Sequence, residues 1–262
     1  MSWSLLLFSS DYFLQLASLL RDPVYQGVAV PDGQGQPVML IPGFMGGDWT
    51  LFILAGWLNR LGYRAYFSGI HWNVDCPNRT GEWLRWRLEH IIKKTGKPVI
   101  VIGHSLGGTL ARFLGANFPE KITKIVALGS PLDPALRIPP LALRAFRALR
   151  PLRLLTDRPP PACGSSRCAC QFARTAFSPL PERVRFTSIF TKQDRIVPWT
   201  MSVSHQGDNR EVSGGHIGLI VNRQVYRVLA DILVDEQVYA SGLDQPPLTT
   251  EEEYALAKRK SS

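Results

Sequence analysis

The run Val99-Ile100-Val101-Ile102-Gly103-His104-Ser105-Leu106-Gly107-Gly108 limits what the chain can fold into more than any other stretch. Four β-favouring apolar residues lead into Gly-x-Ser-x-Gly, and residues 109–118 continue with apolar positions at helical spacing. Strand, sharp turn and helix in that order lift one side chain to the tip of a strand, as a nucleophile elbow does. A serine hydroxyl is a poor nucleophile at neutral pH. It needs open presentation, a neighbouring base and donors for a developing oxyanion. Gly103 and Gly107 flank Ser105 because the turn brings backbone against backbone, where a Cβ would clash. The bare pattern also describes an ordinary glycine-rich turn, so its weight comes from the flanking strand and helix.

An elbow of this kind belongs to a mostly parallel sheet with crossover helices, and the rest of the chain supplies the alternation. Residues 37–41 read as a buried strand ending in Pro42-Gly43-Phe44-Met45-Gly46-Gly47. A glycine-rich turn after a strand leaves backbone N–H groups pointing outward, which suits an oxyanion. Phe44 is expected to supply one N–H and Leu106 the other, with Met45 replacing Phe44 if the turn is registered one residue later. Residues 50–61 read as a helix closed by Gly62, and 64–67 as a strand. The loop from Gly69 to Pro77 is dense in polar and aromatic groups, and it makes His71 and Trp72 candidates for lining a substrate site. Residues 80–94 have helical spacing with Trp83, Trp86 and Ile91 near one face, a stripe expected in the core. Residues 122–128 form a further strand.

After Pro131 the rhythm fails. Residues 131–182 hold many prolines, the arginines 137, 144, 147, 150, 153 and 158, and Cys163, Cys168 and Cys170. Much of the net charge of +9 collects here. Leu141, Ala142, Ala145, Phe146 and Leu149 fall on one side of a helical wheel, with Arg144, Arg147 and Arg150 opposite. Two readings are open for this insertion: a lid that meets a membrane or lipid interface, or a static cap. No nucleic-acid motif accompanies the charge, so no nucleic-acid partner is expected. The C-x4-C-x-C spacing lacks the paired C-x2-C of a usual zinc site, and no metal is expected. A disulfide from Cys76 to one of the three is left open.

The N-terminal apolar run lacks a basic residue before Arg21, is interrupted by Ser9-Ser10-Asp11 and has no small-residue cleavage site. A cytoplasmic location is therefore favoured over secretion, which the clustered cysteines keep open. Residues 11–20 read as an amphipathic helix, capped by Ser10, that packs on the body. Residues 27–30 read as a lead-in strand.

Past a strand at residues 184–190 comes Thr191-Lys192-Gln193-Asp194, where a carboxylate is placed to orient an imidazole. His216 follows in the loop Val212-Ser213-Gly214-Gly215-His216-Ile217-Gly218, before a helix at residues 223–233. His104 is held in the elbow, His90 lies on a helix and His205 in a polar loop, which leaves His216 as the candidate base. With Ile41-Pro42-Gly43-Phe44-Met45-Gly46-Gly47, Gly103-His104-Ser105-Leu106-Gly107-Gly108, Asp194-Arg195-Ile196-Val197-Pro198 and Gly215-His216-Ile217-Gly218, the chain resembles the α/β-hydrolase superfamily. It looks most like the bacterial lipase and esterase branch, over roughly residues 37–233. The resemblance implies an α/β-hydrolase fold and a Ser105-Asp194-His216 triad, without metal or cofactor.

The expected organisation is an N-terminal segment (1–36), a hydrolase core in two parts (37–130 and 183–241), a helical cap or lid (131–182) and a terminal tail (242–262). The expected activity is cleavage of small-molecule or lipid carboxylic esters through an acyl-enzyme. An acyltransferase or thioesterase using the same triad, and a non-catalytic binding protein of the same fold, are the alternatives. Oligomeric state is left open.

Overall fold

The structure, a computed structural model, describes residues 3–133 and 170–243. Among the described residues six strands make one sheet: β1 (Pro37–Ile41), β2 (Arg64–Phe67), β3 (Val99–His104), β4 (Ile122–Leu128), β5 (Arg185–Phe190) and β6 (Asp208–Glu211). Their spatial order is β2-β1-β3-β4-β5-β6, and every pair is parallel. The sheet expected to be mostly parallel is therefore wholly so. Strands covered on both faces carry unbroken apolar runs, which is why β1 and β3 are buried along their whole length.

The two-residue period of a strand sorts these side chains into two cores. Val38, Leu40, Ile100, Ile102, Val126 and Leu128 face α1 (Trp3–Leu20), α2 (Phe52–Arg60) and α6 (Arg223–Leu243), meeting Leu19, Trp57, Leu58, Tyr226 and Leu229. Met39, Ile41, Val99, Val101, Ile125 and Ala127 face α3 (Pro77–Thr95) and α4 (Leu106–Asn117), meeting Leu84, Leu88, Phe113 and Leu114. Helix α3 starts with Pro77 in its first turn and stops at Gly96, whose φ of 70° closes it. The edge strand β2 is short and its backbone is occupied. Ala65 N–H donates to Asn59 Oδ1 at 2.9 Å, and Phe67 C=O accepts from Arg87 Nε at 3.0 Å, which blocks an incoming strand.

Three expectations need correction, and one strand is additional. Trp83 and Trp86 are 45% and 50% exposed, and α3 instead buries Leu84, Leu88 and Ile91 at i, i+4 and i+7. Trp83 stays at the border, where its indole N–H reaches Ser68 C=O at 2.9 Å. Ser10 is no cap, because α1 begins at Trp3. Residues 27–30 are turn, built on successive bonds such as Tyr25 N–H to Asp22 C=O and Gly27 N–H to Val24 C=O. Strand β6 was not anticipated: Asp-Asn-Arg-Glu has no apolar pattern and is a strand because it pairs with β5.

The basic helical wheel at 141–150, the cysteines 163 and 168 and the tail from 244 onward lie outside the described residues. The insertion's C-terminal end is described and contains α5 (Gln171–Thr175). Arg112 of α4 ties down the turn after it, donating to Ala176 and Ser178 carbonyls. Cys76 is a buried free thiol at the head of α3. No described helix is long and apolar enough to cross a membrane.

Leu88→Ala is expected to lower the unfolding free energy by ~2–5 kcal/mol in a urea titration, and Trp86→Ala by less. Equal losses would mean that α3 packs through its tryptophans.

Candidate active site

From β1 the chain crosses to β2 on one side, and from β3 to β4 on the other, so the loops leaving β1 and β3 diverge. Such a switch point opens a crevice at the carboxyl ends of the strands. Ile41 pairs with Gly103, which sets Pro42-Gly43-Phe44 beside Ser105. The approach is close: a Cβ on Gly43 would lie 3.1 Å from the Ser105 Cβ.

Ser105 has φ 52° and ψ −123°, a conformation rarely adopted by a residue with a side chain. Neighbouring backbone holds it there. Ser105 N–H donates to Leu128 C=O at 2.8 Å, and Ser105 C=O accepts from Gly108 N–H at 2.9 Å. A Cβ on Gly107 would lie 2.2 Å from the Ile41 carbonyl oxygen, so only glycine fits the return of the turn. Leu106 opens α4, and its N–H belongs to the first turn, which has no partner within the helix.

Asp194 and His216 are almost wholly buried, at 1% and 3% side-chain exposure, with Nδ1 and Oδ2 2.5 Å apart. The other carboxylate oxygen accepts the N–H groups of Ile196 and Val197, each at 2.8 Å. The Asp-Arg-Ile-Val turn therefore fixes its own aspartate. Since a carboxylate accepts, the His216 proton sits on Nδ1 and Nε2 keeps a lone pair. The loops converge at Gly129, where a Cβ would lie 3.3 Å from His216 Nδ1 and 3.4 Å from Asp194 Oδ2. Gly129 directly follows Leu128, the partner of the Ser105 amide, so the elbow and the Asp194–His216 pair are neighbours. The hydrogen bonds that hold His216 run to Asp194 from its ring and to His104 from its carbonyl, and a serine–histidine bond of this kind often tightens only with substrate.

His104 is the second buried imidazole. Its Nε2 lies 3.0 Å from the His216 carbonyl, and the two rings are 4.9 Å apart between centroids. The carbonyl accepts, so His104 carries its proton on Nε2. Burial, reinforced by the neighbouring His216, lowers its pKa to about 3. His104 is thus a neutral strut under the His216 backbone.

The Met45 amide is already engaged, donating to Asn73 C=O at 3.0 Å. His71 and Trp72 are exposed on the adjacent loop. Asn73, buried, does more than either. Its Nδ2 donates to Pro42 C=O at 2.9 Å and its N–H to Gly46 C=O, which locks the 69–77 loop to the turn carrying Phe44. Asn73 and Asp11, which bonds the histidine loop, were not singled out by the sequence; both act across long separations that no local pattern marks. Among the described residues no three His, Cys, Asp or Glu side chains form a metal-binding group.

Residues 38–229 match the alpha/beta hydrolase family, and the chain belongs to it. It is 28% identical over 104 residues to a triacylglycerol lipase of Pseudarthrobacter phenanthrenivorans, covering 36% of this chain and 33% of the relative. The chain thus spans about a third of the length of such curated relatives. Among solved structures it is similar to a monoacylglycerol lipase of Paleococcus ferrophilus, at TM-score 0.51, 16% identity and 79% and 96% coverage of the two chains. It is also similar to tomato methylketone synthase I, at TM-score 0.53, 13% identity and 76% and 98% coverage.

The lowered pKa of His104 has a consequence for stability. The unfolded chain takes up a proton near pH 6.5 that the folded chain refuses until about pH 3. Stability therefore falls as pH drops through that window, by at most about 1.4 kcal/mol per pH unit from this group. His104→Asn is expected to flatten the decline between pH 6.5 and 4 in urea melts at stepped pH; an unchanged slope would place the proton uptake elsewhere.

Proposed function

We propose that the protein is a serine hydrolase of the lipase and esterase type, cleaving carboxylic esters through Ser105, His216 and Asp194. The observation that carries this reading is the buried Asp194–His216 pair beside the strained Ser105 turn. The Asp194 bond orders the imidazole so that Nε2, not Nδ1, is the nitrogen left to take a proton. His216 takes the Ser105 proton as the oxygen attacks the acyl carbon, and Asp194 stabilises the imidazolium. The tetrahedral oxyanion falls between Leu106 N–H and the turn after β1. The second donor in this reading is the Phe44 N–H, on the turn that Gly43 brings against Ser105.

His216 then gives its proton to the leaving alcohol, and the acyl group stays on Ser105. Water, deprotonated by His216, attacks the acyl-enzyme and releases the acid. The names of the triacylglycerol and monoacylglycerol lipases to which the chain is similar agree with an ester substrate. The methylketone synthase shares the fold under a different name, so the substrate class rests on the site and its test.

The test is hydrolysis of p-nitrophenyl esters from acetyl to palmitoyl by the purified chain. Ser105→Ala and His216→Ala are expected to cut kcat by ~10³-fold or more, and Asp194→Asn by ~10²- to 10⁴-fold, with KM changed little. Activity that survives Ser105→Ala would overturn the serine mechanism. Ester formation in place of acid when an alcohol is added would point to acyl transfer.

A further inference from the structure

Helix α1 opens the described chain and the histidine loop lies more than 200 residues later, yet the two are bonded. Asp11 Oδ2 accepts the N–H of Gly215 at 3.1 Å, one residue before His216. The loop's glycines are shaped around that carboxylate. A Cβ on Gly215 or Gly218 would lie 2.8 Å from Asp11 Oδ2, and one on Gly214 would lie 2.9 Å from Gln15, one turn further along α1. Opposite α1, Thr191 Oγ1 donates to Gly214 C=O at 2.8 Å and Gln193 Oε1 accepts Gly214 N–H at 2.7 Å. Those two bonds come from the loop that carries Asp194. Asp11 instead grips Gly215 from a separate helix, seated by Leu19 in the core.

We propose that Asp11 is a positioning residue for His216: its carboxylate, presented by α1, fixes the backbone entering His216 and so the direction of Nε2. The proposal rests on the reading of His216 as the base. The Nδ1–Asp194 bond restrains the ring at one end, and His104 supports the His216 carbonyl. The amide side of the residue is set by Gly214 and Gly215. A base displaced by a fraction of an ångström loses rate steeply, so a side chain on a packed helix is a fitting restraint.

The experiment compares the full chain with Asp11→Ala, Asp11→Asn and Gly215→Ala. Asparagine removes the charge but keeps an acceptor oxygen, and the alanine methyl at 215 displaces the carboxylate. Two quantities are read: steady-state ester hydrolysis, and the low-field proton NMR signal of His216 Nδ1–H, assigned by its loss in His216→Asn. Asp11→Ala and Gly215→Ala are expected to lose kcat by about tenfold or more with KM within about twofold, and to broaden the signal through faster exchange. Asp11→Asn is expected to recover both. Wild-type kcat and a sharp signal in Asp11→Ala, whatever its melting temperature, would overturn the proposal, as would an Asn variant as impaired as Ala. If Asp11→Ala does not fold, the contrast between Gly215→Ala and Asp11→Asn decides. If the wild-type chain hydrolyses no ester, the function above fails separately, and the Nδ1–H signal alone decides the role of Asp11.

Discussion

The contact on which the site depends is backbone against backbone, between the turn after β3 and the end of β1. Gly107 lies so close to Ile41 that a Cβ would sit 2.2 Å from its carbonyl oxygen, and Gly103 is pressed equally tightly against Gly107. Closeness is what lets the chain reverse within a few residues and still start α4 against the sheet. It also forces Ser105 to a φ of 52°, a conformation that costs on the order of 1–3 kcal/mol. The cost is met by apolar packing: β3 is buried end to end, and α4 buries Leu110, Phe113 and Leu114 behind the turn. A strained residue is thus held by a rigid frame at the carboxyl end of β3, where the loops leaving β1 and β3 diverge.

Two buried imidazoles lie close to that turn, and the acceptors around them decide which nitrogen is protonated. His104 faces a carbonyl through Nε2, and His216 faces a carboxylate through Nδ1. A carbonyl brings no compensating negative charge to His104, so burial keeps that ring neutral. One ring is a neutral support and the other keeps a free lone pair. The Asp194 carboxylate tolerates burial because three N–H groups surround it, two of them from its own turn.

How much of this was legible in the sequence follows from how local each signal is. The five core strands and the strand–turn–helix around Ser105 could be read because strand, turn and glycine spacing are local chemistry. Strand β6 could not, since Asp208–Glu211 has no apolar face and owes its conformation to β5. The α3 stripe was misread because tryptophan counts as apolar on a wheel. Trp83 instead spends its N–H on Ser68 and stays half-exposed at the border. Asp11 carries no motif: its partner Gly215 lies 204 positions away, and only folding brings them together.

The loops that frame the crevice are not independent of the chemistry beneath them. Asn73 bonds Pro42 and Gly46, and its carbonyl accepts the Met45 amide, while Asp48 accepts the amides of Ser68 and Gly69. The segments 42–48 and 68–73 are thereby one cross-linked unit. His71 and Trp72 are exposed on it, and Phe44, the proposed oxyanion donor, lies within it. A change of side chain at the rim that displaces this backbone also displaces the Phe44 amide. On the proposed mechanism, substrate fit and oxyanion stabilisation are coupled through Asn73, because the same backbone carries the rim and the Phe44 amide.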